Sequence, residues 1–176
     1  MKKIFMAIGV VFVLTACGYK PSSHAIKKIF SDSVYVEVKV DRAEPENASY
    51  VRDELNRMIY TRFKGRVTSK ENAKSQIIAD YRGSSFYPLA YEDGYVVRYR
   101  ANIRVRFTMV TKEGKTLKKS ISSRVESDIQ ASSITSSVLR TEAIRAGLEK
   151  ALDEFLGYVT AKGMLMDEKK KGSKKQ

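Results

Sequence analysis

Tyr95-Val96-Val97-Arg98-Tyr99-Arg100-Ala101-Asn102-Ile103-Arg104-Val105-Arg106-Phe107-Thr108-Met109-Val110 is the stretch that decides the fold. Its odd positions carry Val97, Tyr99, Ala101, Ile103, Val105, Phe107 and Met109, and its even positions carry Arg98, Arg100, Asn102, Arg104, Arg106 and Thr108. Successive side chains of a strand point to opposite faces, so this period of two predicts one long strand with an apolar face and an arginine face. Lys112-Glu113-Gly114-Lys115 turns the chain back into a partner strand, Leu117 to Asp128. A three-residue loop, Glu113 to Lys115, matches the faces, setting Phe107 against Ile121, Ile103 against Val125 and Arg106 against Ser122. A two-residue loop would oppose Arg106 to Ile121 and mismatch every pair.

Outward from this hairpin the pattern is simpler. Val34, Val36, Val38 and Val40 alternate with Tyr35, Glu37 and Lys39, which predicts a half-buried strand. Val51, Leu55, Met58, Ile59 and Phe63 recur at helical spacing, with Ser49 or Asn47 as N-cap and Gly65 as the stop. Ser75 to Phe86 reads as a second strand, which Gly83 weakens. Ile144, Leu148, Ala151, Leu152, Phe155 and Val159 make the stripe of a last helix, capped by Ser136 or Ser137 and ending near Gly163. The order β-α-β-β-β-α predicts an α+β fold: a two-layer sandwich with a four-stranded mixed sheet and two helices on one face. The first β-α-β unit is expected to be a right-handed parallel crossover and the last three strands an antiparallel meander. The helices must meet the apolar face, which leaves the arginine face uncovered.

Arg98, Arg100, Arg104 and Arg106 project from that face, Arg124 joins them from the next strand, and Arg82 does so if Tyr81 is core. The expected register sets Arg104 opposite Arg124, and like charges so placed repel unless an anion sits between them. Arginine forks grip phosphate and carboxylate bidentately. Two readings stand side by side: a face that meets an anionic partner, or a solvated face neutralised by Glu126 opposite Asn102, Asp128 opposite Arg100, Asp80 and Glu37. A second candidate surface is the aromatic connection Ser84 to Tyr95, which either packs over the end of the sheet or contacts protein or lipid.

The amino terminus carries a different signal. Met1-Lys2-Lys3 precedes the apolar run Ile4 to Val13, and Leu14-Thr15-Ala16 leads into Cys17, the single cysteine. This is the grammar of an export signal, and it falls short of the ~20 apolar residues that span a bilayer. The join resembles a bacterial lipobox, which implies cleavage of a 1–16 signal peptide and lipidation of Cys17. The expected organisation is then a lipidated tether at 17–32, one domain at 33–163 and a disordered lysine-rich tail at 164–176. Net charge is +13. Such a balance ordinarily points to nucleic acid, but export leaves phospholipid headgroups and phosphorylated glycolipid as the anionic partners. Catalysis has little material. His24, the one histidine, lies in the tether, no Gly-rich phosphate loop occurs, and no carboxylate spacing marks an acid/base pair, so neither enzyme activity nor a metal or other cofactor is expected.

Cys17-Gly18-Tyr19-Lys20-Pro21, the valine strand passing through Pro45 into a helix, the Ala73 to Tyr81 strand entry, the long strand with its Glu113-Gly114 turn and the Thr141-Glu142-Ala143 helix together resemble the lipopolysaccharide-assembly lipoprotein family (LptE type). The resemblance implies a plug inside the large outer-membrane β-barrel LptD, which helps that barrel fold and deliver lipopolysaccharide to the outer leaflet. It also implies lipopolysaccharide binding, with lipid A phosphates as arginine partners, and Gly18 after the lipidated cysteine agrees with outer-membrane placement. The other function that the residues allow is a periplasm-facing lipoprotein module that holds anionic lipid or glycan without a barrel.

Overall fold

In the computed structural model, which describes residues 22–40, 42, 44–128 and 133–172, the α-helices and strands follow in a clear order, with a short 3-10 turn at Lys70–Asn72. They are α1 (Ser22–Ile29), β1 (Ser33–Lys39), α2 (Asn47–Met58, continued by a π-helical turn Ile59–Phe63), β2 (Arg66–Val67), β3 (Ser75–Glu92), β4 (Tyr95–Val110), β5 (Thr116–Asp128) and α3 (Ser133–Gly172). The sheet order is β2-β1-β3-β4-β5, with β1 parallel to β2 and β3, and β3-β4-β5 an antiparallel meander. The α+β class with a mixed sheet therefore holds, but with five strands and three helices in place of four and two. The signal segment, Cys17 and residues 173–176 lie outside the described residues.

The added helix comes from the expected tether. Ser22–Ile29 is amphipathic, and it buries Ile26, Ile29 and, just beyond it, Phe30. An isolated helix of this length is unstable in water, so packing against the rest of the fold must hold it. Phe30 stacks on Phe63 of the π turn at 5.3 Å, and the helix crosses α3 at Gly163. A Cβ placed on Gly163 would lie 2.0 Å from the Ala25 carbonyl oxygen. Gly163 is a crossing point for two backbones, and α3 runs on through it to Gly172. Ser136 and Ser137 likewise fall inside this helix rather than at its cap. At the start of α2, neither Ser49 nor Asn47 is the cap: Glu46 precedes the helix without a side-chain cap bond. The turn Ile59–Phe63 ends on Lys64, in left-handed conformation (φ 53), one residue before the expected Gly65.

The core lies between the sheet and the helices. The odd residues of β4 from Ala101 to Met109 are all buried there, and Phe107 stacks on Phe155 of α3 at 4.1 Å. Close approach of α3 to the sheet needs a glycine as well, because a Cβ on Gly147 would fall 2.6 Å from Ile103 Cδ1. Ser123 Oγ donates to the Gly147 carbonyl at 2.5 Å and pins β5 to the same turn of helix.

The β4–β5 register differs from expectation by two residues. Val105 opposes Ile121, Arg104 opposes Ser122, Asn102 opposes Arg124, Arg100 opposes Glu126 and Arg98 opposes Asp128. The loop has three residues, as expected, but they are Lys112 to Gly114. Thr111 N–H donates to the Lys115 carbonyl at 2.9 Å, and Gly114 N–H donates to the Thr111 carbonyl at 2.9 Å. Gly114, at φ 78, is the left-handed residue that closes a type I turn in such a hairpin. Because both loops are odd, the slip preserves every face and changes every partner.

The aromatic stretch Ser84 to Tyr95 is not a connecting loop. β3 continues to Glu92, and Asp93-Gly94 (φ 48 and 81) turns it directly into β4. Two successive left-handed residues are the signature of the tight type I′ hairpin turn. A bulge interrupts β3 at Gly83 (φ 86): Tyr81 opposes Val105, yet Ser84 opposes Ile103. One extra residue flips the alternation. Before the bulge the odd residues Ile77, Ala79 and Tyr81 are buried; after it Phe86 packs against the core, and Tyr87 is 53% exposed.

Candidate functional site

The face of the sheet away from the helices presents Arg98, Arg100, Arg104 and Arg106 from β4 and Arg124 from β5, as the alternation requires. Its electrostatics divide the row in two. Arg98 Nε lies 2.6 Å from Asp128 Oδ1, a hydrogen bond that raises the arginine pKa. Arg100 Nη2 lies 2.9 Å from Glu126 Oε1. These are the carboxylates expected to neutralise the face, each on a different partner because of the register. Both pairs are exposed, where an ion pair contributes ~0–1 kcal/mol.

The other half is unneutralised. Arg104 faces Ser122, so the expected like-charge opposition of Arg104 and Arg124 does not occur. Arg106 lies opposite Asp80, but that carboxylate is taken by Arg82 at 3.1 Å. Among the described residues, Arg104, Arg106 and Arg124 have no carboxylate partner. Arg82, Arg104 and Arg106 border a shallow recess of about 370 Å³, shared with Ser120 and Ser122 of β5. The bulge at Gly83 explains why Arg82 reaches it: two residues of β3, Arg82 and Gly83, span the place opposite Arg104. Guanidinium donors around hydroxyl groups suit an anion with several oxygens, such as a phosphate or a carboxylate. Beside them, Asn102 Oδ1 is buried and has no hydrogen-bond partner among the described residues.

A buried polar cluster on the helix side went unseen in the sequence. Glu44, 9% exposed, accepts from the Tyr81 hydroxyl, from Ser84 Oγ at 2.6 Å and from Asn47 Nδ2 at 3.3 Å, with Arg140 Nη2 3.7 Å away. Burial and then the bond to Glu44 push the Tyr81 phenol well above the usual tyrosine range. The cluster ties the β1–α2 connection to β3 and α3, and Arg140 also lies over the Phe86 ring at 4.8 Å. Its only sequence signal is an acidic residue three before Asn47, which is too common to single out.

The aromatic surface is mixed. Phe86 packs inward, whereas Tyr87, Leu89, Tyr91 and Tyr95 are exposed toward the hairpin tip. No group of acidic, histidine or cysteine side chains among the described residues is arranged to hold a metal ion, and none of their helices is long and apolar enough to cross a membrane.

The same fold occurs in solved lipoproteins. Rare lipoprotein B from Shewanella oneidensis superimposes with a TM-score of 0.55 at 12% identity, over 76% of this chain and 98% of its own. A minor lipoprotein from Acinetobacter baumannii gives 0.52 at 8% identity, over 76% and 93%. Lipoprotein B from Nitrosomonas europaea gives 0.51 at 16% identity, over 73% and 82%. At these identities the likeness is one of fold. Among curated proteins, none matches the chain in sequence. The sequence profile of the family described as LptE, lipopolysaccharide-assembly, matches residues 32–156, from just after α1 through most of α3.

Proposed function

The chain belongs to the lipopolysaccharide-assembly (LptE) family, and from that premise we propose that it is an outer-membrane lipoprotein that plugs and helps assemble an LptD-type barrel. In this reading Cys17 carries the lipid anchor, and the domain assists lipopolysaccharide transport to the cell surface without catalysis. The observation that carries the contact chemistry is the unneutralised half of the sheet face. Arg104, Arg106 and Arg124 lack carboxylate partners among the described residues, with Arg82 and two serine hydroxyls alongside. Barrel lumens are polar, so an uncovered charged sheet face suits such a wall better than it suits lipid tails. Lipid A phosphates and acidic lumen side chains both match guanidinium forks.

The division of the arginine row supplies the test. Lipopolysaccharide binding by the mature chain in nonionic detergent is measured for Arg104→Glu and Arg98→Glu. Charge-assisted hydrogen bonds are worth ~1.5–3 kcal/mol each, so Arg104→Glu is expected to weaken binding by about tenfold or more. Arg98→Glu, which first loses a bond to Asp128 within the protein, is expected to cost less. Binding should fall as salt rises, because exposed charges are screened over ~8–10 Å. Equal, small effects of both reversals, or binding indifferent to salt, would remove the arginine face from the function.

A further inference from the structure

A recess larger than the one on the arginine face lies elsewhere, at the end of the sheet where β4 turns into β5. Its volume is about 740 Å³, and its lining includes Lys27, Arg66, Lys74 and Lys112 with a single carboxylate, Asp32. Four separate elements bring these cations together. Lys27 comes from α1, Arg66 from β2, Lys74 from the approach to β3, and Lys112 from the β4–β5 loop. The backbone holds them in place: Lys112 N–H donates to the Ile29 carbonyl at 2.9 Å, and Arg66 N–H to the Asp32 carbonyl at 2.8 Å. Lys74 N–H donates to Ser33 Oγ at 3.3 Å.

Two of the four cations are engaged. Lys27 pairs with Asp32 at 3.1 Å, and Lys112 Nζ donates to the Lys27 carbonyl at 2.7 Å, at the negative end of α1. Arg66 and Lys74 have no carboxylate partner among the described residues, and Thr68 adds a hydroxyl to the same lining. The recess therefore carries an excess of positive charge, with donors converging from several directions. That arrangement fits a compact, multiply charged oxyanion better than it fits an extended acidic peptide.

The position of the recess selects the source of the anion. Cys17 lies five residues before Ser22, about 17 Å of fully extended chain, and Ser22 to Lys27 adds about 8 Å of helix. A lipid anchored through Cys17 thus keeps Lys27 within about 25 Å of the membrane surface. We propose that this recess binds the phosphate of an anionic phospholipid headgroup and so fixes the orientation of the domain on its own membrane. Its position is inferred from the Cys17 anchor in the proposed function, while the headgroup contact is separate from the arginine face.

The test is amine-labelling footprinting of the mature full chain, reconstituted in phosphatidylcholine vesicles with or without phosphatidylglycerol. Labelling at Lys74 and Lys112 is expected to fall severalfold when phosphatidylglycerol is present, while Lys118, exposed on the arginine face, is unchanged. Arg66→Glu, an exposed substitution, should abolish the protection of Lys74. Protection of Lys118 equal to that of Lys74, or no dependence on phosphatidylglycerol, would overturn the site. Protection by inorganic phosphate with none from phosphatidylglycerol would overturn the lipid source. The amino-terminal mass of the same sample separates this result from the anchor: protection of an unacylated chain by added vesicles would sink the Cys17 reading and leave the recess standing.

Discussion

Gly163→Ala and Gly157→Ala are the same substitution on the same helix, and the structure gives them opposite signs. Gly157 is exposed, with nothing within 4 Å of a Cβ built there. Alanine at a helix interior is favoured over glycine by ~0.8–1.0 kcal/mol, so Gly157→Ala should stabilise by about that amount. At Gly163 the new Cβ would stand 2.0 Å from the Ala25 carbonyl oxygen and 2.5 Å from its carbon. Ordinary contact begins near 3.5 Å, so α1 must retreat by roughly 1.5 Å. The obstacle is backbone, which no rotamer change relieves. Overpacking of this kind costs ~1–3 kcal/mol, partly offset by the helix preference. Gly163→Ala should therefore end up destabilised by up to about 2 kcal/mol. Urea unfolding of both variants at 25 °C measures the difference, and amide exchange locates it. Protection should drop first in α1, whose Ile26, Ile29 and Phe30 lose their seat. If Gly163→Ala is as stable as Gly157→Ala and α1 stays protected, the crossing of α1 over α3 is wrong.

Two further outcomes follow from single residues. Tyr81 has its folded pKa raised above the unfolded value, so its contribution is fully present below about pH 10 and is lost as pH rises beyond it. Denaturant titrations across alkaline pH should show the native chain losing stability more steeply than Tyr81→Phe, and parallel slopes would refute the buried phenol–Glu44 bond. Mass spectrometry of the mature amino terminus should find an acylated Cys17, and a chain beginning at any other residue would remove the anchor.

The legible part of the fold was the part with local periodicity. The alternation of residues 95–110 predicted β4, its buried face and its arginine face, because a strand's side chains follow from its backbone alone. The partner register did not follow, since it hangs on which loop residue adopts the left-handed conformation. Gly114 was the available signal: a glycine closing a type I turn ends the loop there and makes it Lys112 to Gly114. Gly83 was read as a weakness in β3, but its positive φ is a bulge that reverses the strand's alternation and turns Tyr87 outward while Phe86 goes in. Read without that reversal, Ser84 to Tyr95 became a loop.

α1 was hidden for another reason. Ala25, Ile26, Ile29 and Phe30 have helical spacing, but a segment so short folds only on a partner. That partner, Gly163, lies in the last helix and resembled a helix stop. In the candidate site, the positions of all five sheet arginines were legible from parity. Which of them remain free was not, because Asp128 and Glu126 reach Arg98 and Arg100 only in the observed register. The Glu44 cluster and the recess around Lys74 arise from residues far apart in the chain, and no local pattern marks them.

Partnership with a barrel is tested by purification after mild detergent extraction. The native chain is isolated from envelopes of its source cells through a tag placed after Gln176, and the bound material is separated by mass. A large β-barrel recovered in one-to-one stoichiometry, and lost or weakened with Arg104→Glu, is the predicted result. A lone monomer carrying only anionic lipid or glycan would contradict the plug and leave a membrane-bound binding module in its place.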